Sequence, residues 1–149
     1  MTTIAFHYGH QQIAVDGRRT CDDIICTDTA DKIIINKLGT WVMCGAPSDY
    51  ADLVKLSHND PVDPMPACLA FLIKDGKVFR VGVTDGRCWH SEQTYNAALG
   101  SGGDFALAAM DHGKTALEAV EYAMTRDVYT GGKIRVVDVG DPSHKPKGD

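Results

Sequence analysis

The sequence predicts an α+β fold, and three observations carry that prediction. Short runs that alternate or stay apolar, each bounded by turn residues, dominate the first two thirds of the chain. Two helical patterns follow within residues 104–126, and an apolar run over 134–139 closes the order. Strands with apolar faces and helices with one apolar side bury both by stacking in layers, so two sheets packed face to face with helices outside would satisfy that order.

Residues 3–6 and 12–15 flank a tight turn at Tyr8-Gly9, which predicts a hairpin, and Asp16-Gly17 ends its second strand. Residues 31–36 and 40–44 form a second pair about Leu38-Gly39. Ser48 then reads as the N-cap of one short helix reaching Ser57, with Asp49 and Asp52 in its first turns. Residues 58–66 hold three prolines and two aspartates, which rules out a long helix there. A third hairpin spans 67–73 and 78–83 about Asp75-Gly76, and 87–93 adds a further strand. After Gly100-Ser101-Gly102-Gly103, a helix is predicted over 104–112 with Phe105, Ala108 and Ala109 on one face. Gly113 breaks it, and a second helix over 115–126 sets Leu117, Val120 and Met124 at helical spacing. The expected organisation is a single domain over residues 1–140 with a disordered tail at 141–149, which carries two prolines and several charges.

Composition narrows the function classes. The chain has 149 residues, of which 44% are hydrophobic and 23% charged, as in ordinary soluble domains. The net charge of -5, with no basic stretch, argues against nucleic acid or an anionic membrane as partner. No apolar run approaches a membrane span, and the opening MTTIAFHYGH lacks the features of a secretory signal, so a cytoplasmic location is expected. The five cysteines include no C-x-x-C pair and the six histidines are scattered, so neither a disulfide framework nor a metal site is expected, and no cofactor is implied.

Thr2 is the first residue that can carry chemistry. Its side chain is small enough for Met1 to be removed, which would leave a hydroxyl and an α-amine on one residue. The amine, with an ordinary pKa of about 7.7–8.0, can take the proton from the hydroxyl directly or through water. Asp16 ends the strand that pairs with the N-terminal one and can lie near Thr2. Lys32 heads an apolar strand, and a positive charge beside the amine would lower the amine's pKa.

With these residues the chain resembles the proteasome β-subunit family, which includes the bacterial HslV peptidase. The resemblance rests on five stretches in order: Thr2-Thr3-Ile4-Ala5, Asp16-Gly17-Arg18, Ala30-Asp31-Lys32-Ile33, Leu99-Gly100-Ser101-Gly102-Gly103, and Arg126-Asp127-Val128-Tyr129-Thr130-Gly131-Gly132. It implies the αββα sandwich of N-terminal-nucleophile hydrolases and a threonine peptidase. Thr2 matches the nucleophile, and Asp16 and Lys32 the pair that supports it. Ser101 matches a serine beside the amine, and Asp127 a second supporting aspartate. Thr130 stands where the family usually has serine. Gly45 matches the glycine whose N–H stabilises the oxyanion. Thr20, with Gly45, matches positions that hold the substrate backbone, and Arg19, Ala30 and Met43 match residues lining the first specificity pocket.

The implied partners are a peptide or unfolded protein, further copies of the chain, and an ATP-dependent unfoldase. Only residues 46–66 stand where the family has two long helices, so one helical layer, which contributes to the double ring of the family, must be reduced. Two other readings remain open: an amidase of the same class acting on a small amide, and a non-catalytic assembly module. A phosphate-binding reading of the GSGG stretch lacks the lysine that follows the glycines of a P-loop.

Overall fold

A computed structural model describes residues 2–140. Met1, predicted to be removed, and the tail 141–149, predicted to be disordered, lie outside the described residues. In chain order the elements are β1 (Thr3–His7), β2 (Gln12–Val15), β3 (Arg19–Cys21), β4 (Ile24–Thr27), β5 (Ile33–Asn36) and β6 (Gly39–Gly45). There follow α1 (Tyr50–Leu53), β7 (Cys68–Lys74), β8 (Lys77–Thr84), β9 (Arg87–Glu92), β10 (Ala97–Gly100), α2 (Gly103–Asp111), α3 (Ala116–Met124) and β11 (Arg135–Asp138). The fold is α+β, with antiparallel sheets and three short helices. The described residues divide into two compact units, one built from residues 2–32 with Thr94–Asp138, the other from Ile33–Gln93 with residues 139–140.

The first unit is organised by a four-stranded sheet of order β10-β1-β2-β11. β1 is central: Ile4 pairs with Val15 on one side and Leu99 on the other. Its Ala5, with Ala14 of β2, packs against Ala106, Ala109 and Met110 of α2 and Ala116, Ala119, Val120 and Ala123 of α3. These small side chains let the helices lie close on the sheet. On the opposite face Ile4, Phe6, Ile13 and Val15 are buried as well, which is why both strands read as almost unbroken apolar runs. A capping box starts α3: the Thr115 hydroxyl accepts from Glu118 N–H, and the Glu118 carboxylate from Thr115 N–H.

The helix faces differ from those read in the sequence. Phe105 is 39% exposed, Leu117 40% and Met124 36%, and Ala108 is exposed too; alanines one position away fill the interface instead. A large residue at helical spacing attracts the assignment, but a helix pressed close to a sheet selects small ones. The hairpin of β3 and β4, in which Thr20 pairs with Ile25, and the strand β10 were not anticipated.

The second unit is a five-stranded meander of order β5-β6-β7-β8-β9. Trp41, Met43, Ala70, Leu72 and Val81 share a core with Tyr50 and Leu53 of α1. Ser48 is not a helix N-cap. It lies inside a 3-10 turn, Pro47–Asp49, and the four-residue α1 starts after Asp49 with no side-chain cap bond. Pro47 fixes that turn, and Asp49 turns away to accept from Ala67 N–H. Cys21, Cys26, Cys44, Cys68 and Cys88 are all free thiols. Burial pushes Cys68 up to about 12 and Cys88 up to about 11, so both are unreactive. No helix among the described residues is long and apolar enough to cross a membrane.

Candidate active site

Strand register places the first group of site residues. Because Ile4 faces Val15, the next pair outward is Thr3 and Asp16. Asp16 N–H donates to Thr3 O at 3.3 Å, and Thr3 N–H donates to Asp16 Oδ1 at 3.2 Å. The hairpin alone therefore holds the Asp16 carboxylate next to the residue that follows Thr2. Gly131 N–H donates to Asp16 Oδ2 at 3.0 Å, and Arg18 N–H at 3.4 Å. Asp16 is 1% exposed and Lys32 2%, so both charges are out of water.

Lys32 Nζ donates to Asp16 Oδ1 at 2.8 Å, Thr2 Oγ1 at 2.9 Å and Arg18 O at 2.6 Å. An ammonium has three N–H bonds, and all three are used. Burying this ion pair is costly unless every donor and acceptor is satisfied. Here the pair is satisfied, and one of its bonds ends on a threonine hydroxyl oxygen.

A second group lies on the other side of β1. Thr3 pairs with Gly100 of β10, which brings Ser101 to the level of Thr2. Gly100 has φ +92°, and a Cβ there would collide with the Thr2 carbonyl; at Gly102 it would collide with Thr3 Oγ1. The glycines of the GSGG stretch thus serve close packing on the N-terminal strand. Asp127 Oδ2 accepts from Ser101 Oγ at 2.6 Å and from Thr130 Oγ1 at 2.6 Å, while its Oδ1 accepts from Tyr129 N–H at 3.1 Å. Burial pushes the Asp127 carboxyl up, but the bonds from Ser101, Thr130 and Tyr129 outweigh it and hold the group below the usual carboxylate range.

That direction fixes the hydroxyl hydrogens. An ionised Asp127 can only accept, so Ser101 and Thr130 both donate to it. Thr130 has one hydroxyl hydrogen and has then spent it. Its 2.7 Å bond with Thr3 must therefore run from Thr3 Oγ1–H to Thr130 Oγ1. The polarity is Thr3 to Thr130 to Asp127, with Ser101 joining at the carboxylate.

The structure thus joins Thr2, Asp16 and Lys32 in one hydrogen-bonded group, and Ser101, Asp127 and Thr130 in another, with Thr3 bonded to both. Arg19 and Thr20 sit half-buried on β3, and Ala30 is buried with its N–H donating to Gly17 O. Met43 and Gly45 belong to the second unit. Met43 is buried in the middle of β6, and Gly45 is its exposed last residue, at φ +104°. Sequence reasoning passed over Thr3 and Arg18. Thr3 shares its strand face with Ala5, and a polar residue at a core position was the available signal. Arg18 pairs with Asp28, Nε to Oδ1 at 2.8 Å and Nη2 to Oδ2 at 3.2 Å, and its carbonyl takes the third Lys32 bond. No sequence pattern reports a carbonyl contact. Among the described residues no cluster of His, Cys, Asp or Glu could hold a metal ion.

The fold recurs in a solved bacterial protein. Thiobacillus denitrificans BPH in complex with epoxomicin matches with a TM-score of 0.67 at 15% identity, over 95% of this chain and 100% of that one. At this identity the likeness is one of fold, and it extends over nearly the whole of both chains. No protein-family model matches the sequence, and no curated protein matches it.

Proposed function

We propose that the protein is a threonine-type peptidase with the αββα architecture of the N-terminal-nucleophile hydrolases. The observation that carries the reading is the buried Lys32 ammonium, 2.9 Å from Thr2 Oγ1 and anchored by Asp16 at 2.8 Å. Removal of Met1 turns the Thr2 amide nitrogen into an α-amine. That amine takes the hydroxyl proton as Oγ1 attacks the scissile carbonyl, and later returns it to the leaving amine. The Lys32 N–H stabilises charge developing on Oγ1, and its field disfavours a second positive charge on the α-amine. Asp16 holds Lys32 in place. Ser101, held by Asp127, is the hydroxyl that moves protons beside the amine. Water then hydrolyses the acyl-enzyme. The Gly45 N–H is the oxyanion donor that the family resemblance carries over, and Arg19, Thr20, Ala30 and Met43 are the substrate contacts. The partners proposed on the same ground are peptides or unfolded proteins, further copies of the chain and an ATP-dependent unfoldase.

The test is intact mass after exposure to a peptide epoxyketone such as epoxomicin. Its ketone and epoxide are adjacent electrophiles, suited to a hydroxyl and an amine on one residue. The expected species lacks Met1 and carries one inhibitor on Thr2, and Thr2→Ala carries none while keeping its fold by circular dichroism. Hydrolysis of a peptide by full-length protein still bearing Met1, or by Thr2→Ala at the parent rate, would sink the reading.

A further inference from the structure

Three cations belong to the segments that meet at the candidate nucleophile, Arg18, Arg19 and Lys32, and they are not equivalent. Lys32 is paired with Asp16, and Arg18 with Asp28. Arg19 makes no ion pair within 4 Å among the described residues. Its Nε is buried with no hydrogen-bond partner, and so is the hydroxyl of its neighbour Thr20. Most buried polar groups are satisfied, so two unsatisfied ones on consecutive residues call for an explanation. Their position supplies one. Lys32 Nζ bonds both Thr2 Oγ1 and Arg18 O, and that carbonyl belongs to the peptide unit joining Arg18 to Arg19. The Arg19 backbone is therefore within one arginine side-chain length of the Thr2 hydroxyl.

Building on the peptidase reading, we infer that Arg19 selects an acidic side chain, Glu or Asp, at the substrate residue whose carbonyl Thr2 attacks. A guanidinium is always protonated and offers planar paired donors that match a carboxylate. Charge-assisted bonds of this kind are about twice as strong as neutral ones. A neutral amide could satisfy the same N–H groups, but it leaves the charge uncompensated. The inference is thus about charge, and an isosteric pair of substrates isolates it.

The experiment compares fluorogenic peptides that differ only in Glu, Gln or Lys at the residue before the scissile bond, hydrolysed by the processed parent, Arg19→Lys, Arg19→Met and Arg19→Glu. The parent is expected to favour Glu over Gln in kcat/KM by about tenfold, the scale of one hydrogen bond to a charged group. Rising salt should narrow that ratio. Arg19→Lys should keep part of the preference, Arg19→Met should bring the Glu to Gln ratio to about one, and Arg19→Glu should favour Lys. A parent ratio of Glu to Gln near one overturns the inference even if no variant folds, and so does a preference that survives Arg19→Met. Hydrolysis of all three peptides at similar rates leaves the peptidase reading standing and removes only the acidic preference. Absence of any hydrolysis, with Thr2 unlabelled by the epoxyketone, removes both.

Discussion

Lys32 and Asp16 form a pair whose worth depends on completeness. The side chains are 1% and 0% exposed, and every Lys32 proton has an acceptor. Lys32→Met leaves a buried carboxylate, a change that typically costs about 3–5 kcal/mol. Asp16 retains N–H donors from Thr3, Arg18 and Gly131, so the lower end of that range is expected. Adding Asp16→Asn should return part of the loss in urea melts; a single variant as stable as the parent would show that the pair is solvated. Asp127 gives a pH dependence with a definite sign. Its folded-state pKa lies below its ordinary value, so its contribution to stability is complete above about pH 4, the unfolded carboxylate value. It is lost as the pH falls through the lower folded value. The stability gap between parent and Asp127→Asn should therefore shrink as the pH falls below about 4, and a gap that widens on acidification would contradict this reading. Thr2, Asp16 and Lys32 could be singled out in the sequence because each had a chemical type and a place along predicted strands. Thr3 could not be assigned a role, because the direction of its hydrogen bond depends on the ionisation of Asp127.

Elements were legible where turn residues and alternation agreed. The hairpins β1–β2, β5–β6 and β7–β8 follow the runs about Tyr8-Gly9, Leu38-Gly39 and Asp75-Gly76. The hairpin β3–β4 was hidden because its strands mix Thr, Cys and Ile without alternation, and both isoleucines face outward, Ile24 at 71% exposure. That hairpin carries Arg19 and Thr20, so the missed element bears two of the four proposed substrate contacts. The same lesson holds in part for α3, where Val120 faces the core as its spacing suggested but Leu117 and Met124 do not. Thr115→Ala removes the capping box and should lower stability by about 1 kcal/mol. Leu117→Ser removes a residue that only looked buried in the sequence and should stay within about 0.5 kcal/mol of the parent. Thermal melts of the two variants decide the matter, and a larger loss in Leu117→Ser would restore the sequence assignment.

At the scale of the molecule, the proposed peptidase class implies assembly into a homo-oligomer. Light scattering across micromolar concentrations should give a multiple of the 16.1 kDa subunit mass, and a constant single-subunit mass would remove that part of the proposal. The unit that holds the candidate nucleophile is discontinuous: the chain leaves it after Lys32 and returns at Thr94. Sequence periodicity has no means of reporting such a division, since each segment looks locally like the next. It does bear on timing. The bonds from Gly131 to Asp16 and between Thr3 and Thr130 span 115 and 127 residues. On the ribosome, at about 5–20 residues per second, Thr2 precedes Thr130 by roughly 6–26 s. During that interval the growing polypeptide carries the threonine without the complete set of Ser101, Asp127 and Thr130. The proposed hydrolytic centre can thus be completed only after residue 130 has been made, so the threonine waits for most of the described chain before its surroundings close.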